Sequence, residues 1–283
     1  MQPANQNQHR VSQVYLKQFG YEIDEKWWVS VYRLGYTSTE NLPVDTFTAE
    51  FNIFDAPYGN IEFRRNFEIQ CGKVESYYPT IISNLINQKK LTAKNVEVLC
   101  HFIASLLSRS ISFTSFIEMI LSDIDACKRF ISEISMFNEH KEILKETLKI
   151  VPVHLQLNTI LGTITAHLVE VLRCFNFLVI KKPTDISWMT TDNPVLIDKK
   201  GNFEWLLSPD TEIYLPLSGN FLLFGFHENA VDKTNKLRLL RENKVNKIDI
   251  EQFETLQRRI SQNLSKYLVM PIHLEDSNIE IPL

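Results

Sequence analysis

The stretch Met189-Thr190-Thr191-Asp192-Asn193-Pro194-Val195 marks the point where the chain changes its structural pattern. The strongly helical third of the sequence precedes it, and the strongly strand-like third follows it. Asp, Asn and Pro are typical of turns, because Asp and Asn side chains bond nearby backbone and proline fixes its own φ angle. Asp and Asn also bind substrates, so we expect any polar site to include this turn.

Helical spacing of apolar residues dominates upstream of the turn, over about residues 73–175, where glycine and proline are scarce. Outside this block, β-branched and aromatic residues gather in short runs, which is typical of strands. These runs are Trp27–Leu34, Phe177–Ile180, Phe221–Phe226 and Tyr267–Ile272. Helices between two sets of strands predict an α+β fold, in which the N- and C-terminal strands share one antiparallel or mixed sheet.

We predict one domain over residues 1–283, with a helical subregion at 73–175 and a strand-rich subregion at 176–283. In the second subregion, the runs Glu212–Leu217 and Phe221–Phe226 flank a Ser-Gly-Asn segment. A short glycine-containing loop between two strand-like runs predicts a β-hairpin.

Local residue types place the ends of the helices. Ser12 and Thr92 are predicted N-caps, because a hydroxyl there accepts a hydrogen bond from the first turn. The helix that begins at Ser12 is expected to reach Phe19, with Gly20 following it. The helix that begins at Thr92 is expected to continue to about Leu121. Further helices are predicted at Lys73–Lys90, 123–149, Val153–Phe175 and 249–266.

Composition limits the classes of protein that remain. A net charge of −4 over 283 residues argues against a globally basic nucleic-acid binder and leaves room for a local basic patch. Apolar runs all fall short of the ~20 residues that cross a bilayer, and the polar N-terminus lacks a targeting segment. We expect a cytoplasmic protein without a membrane partner, whose widely spaced cysteines are free buried thiols: Cys71, Cys100, Cys127 and Cys174.

A polar stripe runs along the apolar helix around Leu99–Phe113. Its members, His101, Ser105, Arg109 and Ser112, lie three or four residues apart and therefore share one helical face. An unpaired buried arginine would be very costly, so the stripe must face water, a partner or a polar cavity. Two interpretations follow: a half-exposed helix, or a site in which Arg109 clamps an anion or carboxylate.

The helix over Val153–Phe175 carries a second polar stripe, with Thr159, Thr163, His167 and Glu170. His167 and Glu170 could bind a metal from one face, but two ligands are too few and no similar pair occurs elsewhere. The sequence also lacks the Walker, dinucleotide, Gly-x-Ser-x-Gly and His-Glu-x-x-His motifs. We therefore predict no metal site, and no cofactor is identified.

Basic residues concentrate in residues 231–266, from Lys233 to Lys247 and again at Arg258-Arg259. A run of this kind is either a solvated surface or a contact surface for nucleic acid or phosphate.

Three segments together resemble one family. The segment Gln8-His9-Arg10-Val11-Ser12-Gln13-Val14-Tyr15-Leu16-Lys17-Gln18-Phe19 resembles the N-terminal His-x-Val-Pro-x-x-Tyr-Leu-x-x-Phe signature of the bacterial family of domain of unknown function 4238. Thr191-Asp192-Asn193-Pro194-Val195 is similar to its Ser/Thr-Asp-Asn-Pro-Val motif, and Leu215-Pro216-Leu217-Ser218 to the strand after it. Arg109 stands where the mid-chain helix of the family carries an arginine. In this chain Ser12 replaces the usual proline and Leu106 an expected glutamine.

The resemblance implies a set of candidate site residues. His9 would be a general acid or base near neutral pH, and Asp192 a base or a metal ligand. Asn193 would position a substrate, and Arg109 would hold an anion. Tyr15 belongs to the same signature and joins the candidate binding residues. The alternative is that His9 bonds backbone and that Asp192 and Asn193 only form a turn.

Two functional hypotheses follow. The first is a metal-independent hydrolase or nuclease that acts on a phosphate-bearing or nucleic-acid substrate. It requires His9, Arg109 and Asp192 to converge within one cleft. The second is a non-catalytic binding or interaction protein in which the signature residues are structural.

Overall fold

The structure of the protein is a computed structural model that describes residues 5–123, 125–126, 129, 153–183, 186–198, 208–230, 236–240 and 244–271. The predicted helix at 123–149, Cys127 and much of the basic run lie outside the described residues.

Within these ranges the chain alternates strands and helices. The helices are α1 (Gln13–Leu16), α2 (Ile61–Arg64), α3 (Asn66–Glu75), α4 (Tyr78–Gln88), α5 (Ala93–Arg109), α6 (Ile111–Ser122), α7 (Val153–Leu172) and α8 (Ile250–Ser261), with a 3-10 helix at Lys236–Leu239. The strands are β1 (Asn7–His9), β2 (Tyr21–Ile23), β3 (Lys26–Arg33), β4 (Thr39–Pro43), β5 (Ala49–Phe51), β6 (Phe175–Lys181), β7 (Thr190–Thr191), β8 (Leu196–Asp198), β9 (Glu212–Ser218), β10 (Phe221–His227), β11 (Val245–Lys247) and β12 (Tyr267–Met270).

One sheet joins the two ends of the chain. Its order is β2-β3-β12-β7, and β4 pairs with β3. The C-terminal strand β12 lies antiparallel to β3, with Val269 opposite Val31, and antiparallel to β7, with Leu268 opposite Thr191. The predicted α+β fold and the sheet shared by N- and C-terminal strands are therefore confirmed.

A second sheet is built around the predicted hairpin. Its order is β11-β6-β10-β9-β8, with only β11 and β6 parallel. Strands β9 and β10 leave Gly219 and Asn220 between them, so the loop is one residue shorter than the sequence indicated. The residues of β9 are buried throughout, which places this strand in the interior. A separate ladder pairs β1 with β5, with His9 opposite Ala49.

Helix α5 begins as predicted and ends earlier than predicted. Thr92 and Asn95 form a reciprocal capping box at its start. The predicted continuation to Leu121 is wrong, because Ser110 ends α5 and also caps α6, accepting a hydrogen bond from Phe113 N at 3.2 Å. The two helices bend by 66° at this point. A serine hydroxyl that competes for backbone donors favours such a cap over a helix interior.

The helical region also starts earlier than predicted. Residues 46–70 look strand-like because they are aromatic-rich, yet Asn60 caps α2 by accepting from Phe63 N at 2.9 Å, and α3 follows at once. Packing of the buried Phe67 and Cys71 holds α3 in place. The predicted Lys73–Lys90 helix is in fact the end of α3 and the whole of α4, separated near a proline at the start of α4.

The first short helix differs from its prediction in its caps. Ser12 occupies the N-cap position of α1 but makes no side-chain cap hydrogen bond. The helix ends at Leu16, so Gly20 does not terminate it. A Cβ on Gly20 would lie 2.5 Å from the carbonyl oxygen of Trp28, and this close approach explains the glycine.

An aromatic cluster connects the helices to both sheets. The rings of Tyr78 and Phe102 stack with centroids 4.3 Å apart, and Tyr15 lies 5.9 Å from Tyr78. The hydroxyl of Tyr78 donates to the carbonyl of Leu217 at 2.6 Å, which joins α4 to β9. All of these residues are buried in one hydrophobic core.

Among the described residues, no single helix has both the length and the apolar character needed to cross a membrane, and by these criteria only the bent pair α5–α6 comes near.

Candidate functional site

Arg109, the last residue of α5, is completely buried and fully engaged. Its Nη1 donates to the backbone carbonyl of His9 at 3.0 Å, and its Nη2 donates to the carboxylate of Glu75. Its Nε reaches the carbonyl of Ser105 at 3.3 Å. Arg109 therefore joins α5 to β1 and α3. It does clamp a carboxylate, as one interpretation of the stripe proposed, but the carboxylate belongs to the protein itself.

A second carboxylate lies near the same guanidinium. Glu68 Oε2 is 3.9 Å from Arg109 Nη1. Burial raises the pKa of Glu68 to about 7, with Arg109 opposing the rise and Glu75 and Asp55 adding to it. Burial lowers the pKa of Arg109, but Glu75, Cys71 and Glu68 outweigh this effect and raise its pKa above the ordinary value. Arg109, Glu68 and Glu75 are termed the buried charge cluster below.

His9 contributes its backbone to this cluster more than its imidazole. Its side chain is buried, and Nε2 lies 3.0 Å from the carbonyl oxygen of Asp45 and 3.2 Å from Gln13 Nε2. Burial lowers the pKa of His9, the Asp45 carbonyl opposes this, and Arg109 adds to it. The lowered pKa favours the neutral ring at pH 7.

Tyr15 links the N-terminal signature to the central turn. Its hydroxyl lies 2.5 Å from Thr190 Oγ1, and both residues are completely buried. Burial raises the pKa of Tyr15, with the Thr190 hydrogen bond opposing it, so the phenol stays neutral. This contact joins α1 to β7 and leaves the hydroxyl in the core.

Asp192 binds the segment that leads into β12 and the first residue of that strand. Its Oδ1 accepts a hydrogen bond from Ser265 N at 2.9 Å, and its own N–H donates to the carbonyl of Tyr267 at 3.1 Å. Burial raises the pKa of Asp192, while the backbone N–H groups of Ser265, Lys266 and Tyr267 oppose the rise. The carboxylate thus serves as an acceptor for backbone donors that lie more than seventy residues away.

Asn193 completes the turn through a second set of hydrogen bonds. Its N–H donates to Thr191 Oγ1 at 3.1 Å, which is a local turn contact. Asn263, just beyond α8, donates through Nδ2 to the carbonyls of Asn193 at 2.8 Å and Val195 at 3.1 Å. Both sides of the turn are therefore attached to the segment between α8 and β12.

The predicted site residues fall into two separate groups. His9 and Arg109 are joined through a backbone carbonyl, and Tyr15 reaches the strand that precedes Asp192. Among the described residues, no hydrogen bond or ion pair joins Asp192 to His9 or to Arg109. The structure supplies no contact for the cleft that the hydrolase hypothesis requires.

A cavity lies between α3, α5 and α7, with a volume of about 430 Å³. Polar side chains reach it from all three helices and from α2, and they include Arg64, Asn66, Gln70, His101, Asn158 and Thr163. Apolar walls are formed by Phe63, Phe67, Val74 and Val169. The lining combines apolar surface with a few polar groups, which is the usual character of a small-molecule site.

The buried charge cluster lies directly behind one wall of this cavity. Ser105 and Cys71 both line the cavity. The carbonyl of Ser105 accepts from Arg109 Nε, and the charge of Arg109 acts on Cys71. Burial raises the pKa of Cys71 to about 12, with Arg109 opposing it, so Cys71 is a neutral thiol at pH 7 and a poor nucleophile.

A second ionic network holds the rim of the cavity. Asp55 is buried, and its Oδ1 accepts from Gln8 Nε2 at 2.6 Å. Its Oδ2 lies 3.4 Å from Arg64 Nη2 and 3.6 Å from Arg65 Nε. Asn158 on α7 donates to the backbone carbonyl of Asp55 at 3.1 Å. The sequence does not predict these residues as part of a site, because the aromatic-rich segment 46–70 looks strand-like. The adjacent arginines after a turn are the signal that could have indicated them.

The two polar stripes meet in part at this cavity. His101, Ser105 and Thr163 line it. Ser112 does not belong to the first stripe, because the bend at Ser110 places it on α6, where it is exposed. The Thr159 side chain lies outside the described residues. Both interpretations of the first stripe hold in part, since His101 is half-exposed and Arg109 is buried.

The other candidate sites from the sequence are the metal-binding groups and the part of the basic region that the structure describes. In the part of the chain that the structure describes, no group of three His, Cys, Asp or Glu side chains is placed to hold a metal ion. Glu170 is paired with Arg173. In the basic region, Arg238 Nε donates to Glu212 at 3.0 Å, and Arg259 is paired with Asp198, so both cations are bound within the protein.

These features define an α+β protein with a polar cavity beside a buried charge cluster. The model of the family described as Protein of unknown function (DUF4238) matches residues 7–266, which is nearly the whole chain, and the protein belongs to this family. No curated protein and no solved structure matches the chain.

Proposed function

We propose that the protein binds a small polar ligand in the cavity between α3, α5 and α7. The observation that carries this proposal is the convergence of Arg64, His101, Asn158 and Thr163 on one space of about 430 Å³. That volume falls within the range of roughly 300–1,000 Å³ that is usual for ligand sites. The signature residues His9, Arg109 and Asp192 would then be structural supports, as the second hypothesis from the sequence holds.

The state of the signature side chains supports binding over catalysis at those residues. Arg109 is completely buried and carries bonds to His9 O, Glu75 and Ser105 O. A guanidinium committed in this way has little capacity to receive a substrate anion. The carboxylate of Asp192 likewise accepts from Ser265 N.

A hydrolase that acts on a phosphate-bearing ligand is the second candidate, and one observation favours it. His101 lines the cavity, and its Nε2 lies 3.3 Å from the carboxylate of Glu97. A carboxylate that orients an imidazole next to a ligand is a common arrangement for a general base. Under this candidate His101→Gln would retain ligand binding and abolish turnover.

A cavity-filling variant tests the ligand site. Gly162 on α7 lines the cavity, and a Cβ there would meet no atom within 4 Å, so Gly162→Leu starts its side chain from an open position. Gly72 on α3 is equally open and is not among the lining residues, which makes Gly72→Leu the matched control. A thermal-shift screen of metabolites should find a ligand that stabilises the wild type and Gly72→Leu and leaves Gly162→Leu unchanged. Equal stabilisation of the wild type, Gly72→Leu and Gly162→Leu by every ligand would exclude the cavity as the binding site.

We also propose a reducing, cytoplasmic location. Support comes from Cys71, Cys100 and Cys174, which are free thiols among the described residues. Free thiols persist in reducing compartments and tend to be oxidised outside them.

A further inference from the structure

We infer that the cavity takes a nucleoside monophosphate, a planar ring that carries an anionic group. This inference rests on the proposed ligand site and adds the chemical class of the ligand. Three features of the site carry it: an exposed aromatic pair, a part-exposed arginine whose carboxylate partner, Asp55, lies outside the lining, and a set of side-chain amides.

The aromatic pair lies at the edge of the cavity. Phe63, which lines it, is 53% exposed, and Tyr58 is 41% exposed. Their rings stack with centroids 5.7 Å apart and an interplanar angle of 30°. A large exposed aromatic surface of this kind is a platform on which a base can stack.

The local backbone presents this pair. Gly59 has φ +92°, and a Cβ there would lie 2.7 Å from Phe63 Cδ1, so only glycine allows the ring its position. Asn60 then caps α2 through a hydrogen bond from Phe63 N at 2.9 Å. The turn and the cap together position the backbone of Phe63, and therefore its ring.

The charge of the lining favours an anion. Arg64 follows Phe63, and its side chain is 40% exposed. Its Nε donates to the carbonyl of Ala56 at 3.2 Å and its Nη2 to Asp55, so the head is held in place. Within the described residues Nη1 donates no hydrogen bond, and none of the residues that line the cavity is Asp or Glu. A positioned guanidinium in such a lining suits a phosphate.

Side-chain amides in the lining can form hydrogen bonds with the polar edge of a base. Asn66 and Gln70 lie one turn apart on α3, and Gln70 Nε2 donates to Asn66 Oδ1 at 3.3 Å. Asn158 faces the cavity from α7, with its Nδ2 already bonded to the carbonyls of Ile53 and Asp55. Amides carry both donors and acceptors, which match the polar edges of nucleobases.

Isothermal titration calorimetry with the full-length protein tests the inference. The probes are AMP, GMP, CMP and UMP, with adenosine, inorganic phosphate and benzoate as partial ligands. We expect at least one monophosphate to bind more tightly than any of the partial ligands. Its binding should weaken as ionic strength rises, because a phosphate contact is electrostatic.

Two variants separate the ring from the phosphate. Phe63→Leu should weaken monophosphate binding about tenfold or more, the effect of losing one stacked base. Arg64→Gln should weaken it to a similar degree and reduce the salt dependence. Phe51→Leu, at a phenylalanine that is 71% exposed and does not line the cavity, and Arg33→Gln on β3 are matched controls that should bind as the wild type does.

Several results would overturn the inference. The inference fails if benzoate or inorganic phosphate binds as tightly as the monophosphates. It also fails if Phe63→Leu and Arg64→Gln leave monophosphate binding unchanged. If monophosphates fail while another ligand is blocked by Gly162→Leu, the ligand class is wrong and the proposed site stands. If Gly162→Leu blocks no ligand at all, the proposed site fails as well.

Discussion

Replacing Arg109 by methionine tests whether the buried charge cluster supports the fold. The change deletes the donors to His9 O, Ser105 O and Glu75. It leaves Glu75 and Glu68, whose side chains are only 18% and 17% exposed, without their counter-charge. Breaking one side of a buried ion pair costs about 3–5 kcal/mol. Since a domain is stable by about 5–15 kcal/mol, the variant should lose a large share of its stability.

The loss should depend on pH in a defined direction. The folded pKa of Glu68, about 7, is raised from its ordinary value of 4.5, so the folded state binds this proton more tightly than the unfolded state. The contribution of Glu68 to stability is therefore complete below pH 4.5 and is lost as the pH rises through about 7. Arg109 favours the charged form of Glu68. Its removal should therefore cost more at pH 8 than at pH 5.

Urea denaturation followed by circular dichroism at both pH values measures this loss. Arg173→Met is the matched control, because Arg173 pairs with Glu97 and Glu170 while its side chain is 43% exposed. An exposed pair of this kind contributes about 0–1 kcal/mol. Should Arg109→Met prove too unstable to purify, Arg109→Met with Glu68→Gln and Glu75→Gln should restore folding, since no unpaired charge remains.

A loss no larger than that of Arg173→Met, or a loss that is the same at pH 5 and pH 8, would contradict a supporting role for the buried charge cluster. Either result would mean that the cluster is hydrated in solution.

Three further predictions concern single residues. Glu68→Gln should gain stability over the wild type as the pH rises from 5 to 8, by about 3 kcal/mol, because the folded pKa of Glu68 is raised to about 7. A difference in free energy of unfolding, measured in urea, that is the same at both pH values would contradict this. Asp192→Ala should lower the melting temperature through a loss of about 1–3 kcal/mol, because Ser265 N loses its acceptor, whereas Asp192→Asn keeps an oxygen and should lose less in calorimetry. Ser12→Pro should stabilise by about 0.4–1 kcal/mol, because φ is −54° and the buried hydroxyl has no hydrogen-bond partner among the described residues; a proline variant less stable than Ser12→Ala would show that the ring does not fit.

The sheets were predictable because their strands carry their own local signal. Trp27–Leu34 and Tyr267–Ile272 are rich in β-branched and aromatic residues, and they became the paired strands β3 and β12. The start of α5 was predictable for the same reason, since Thr92 and Asn95 cap it within a single turn. The bend at Ser110 was not, because one serine in an apolar helix is compatible with an interior position or a cap.

The partners of the site residues could not be predicted, because they are distant in sequence. The apolar surroundings of Arg109 showed that it needed partners. Those partners proved to be His9, 100 residues earlier, and Glu75, 34 residues earlier. No local pattern connects positions so far apart. The cavity could not be predicted for a similar reason, since its lining comes from α2, α3, α5 and α7, which only packing brings together.

Residues that recur together in a signature can mark a reaction centre or a set of long-range structural contacts. The distinction lies in whether their polar atoms are already used. Arg109 bonds to His9 O, and the hydroxyl of Tyr15 lies against Thr190 Oγ1, 175 residues away in the sequence. Each contact fixes the N-terminal segment against a different part of the fold. Arg64 and His101 also make ion pairs, with Asp55 and Glu97, but their side chains are partly exposed and line the cavity. This is why we propose ligand chemistry for the cavity and architecture for the signature.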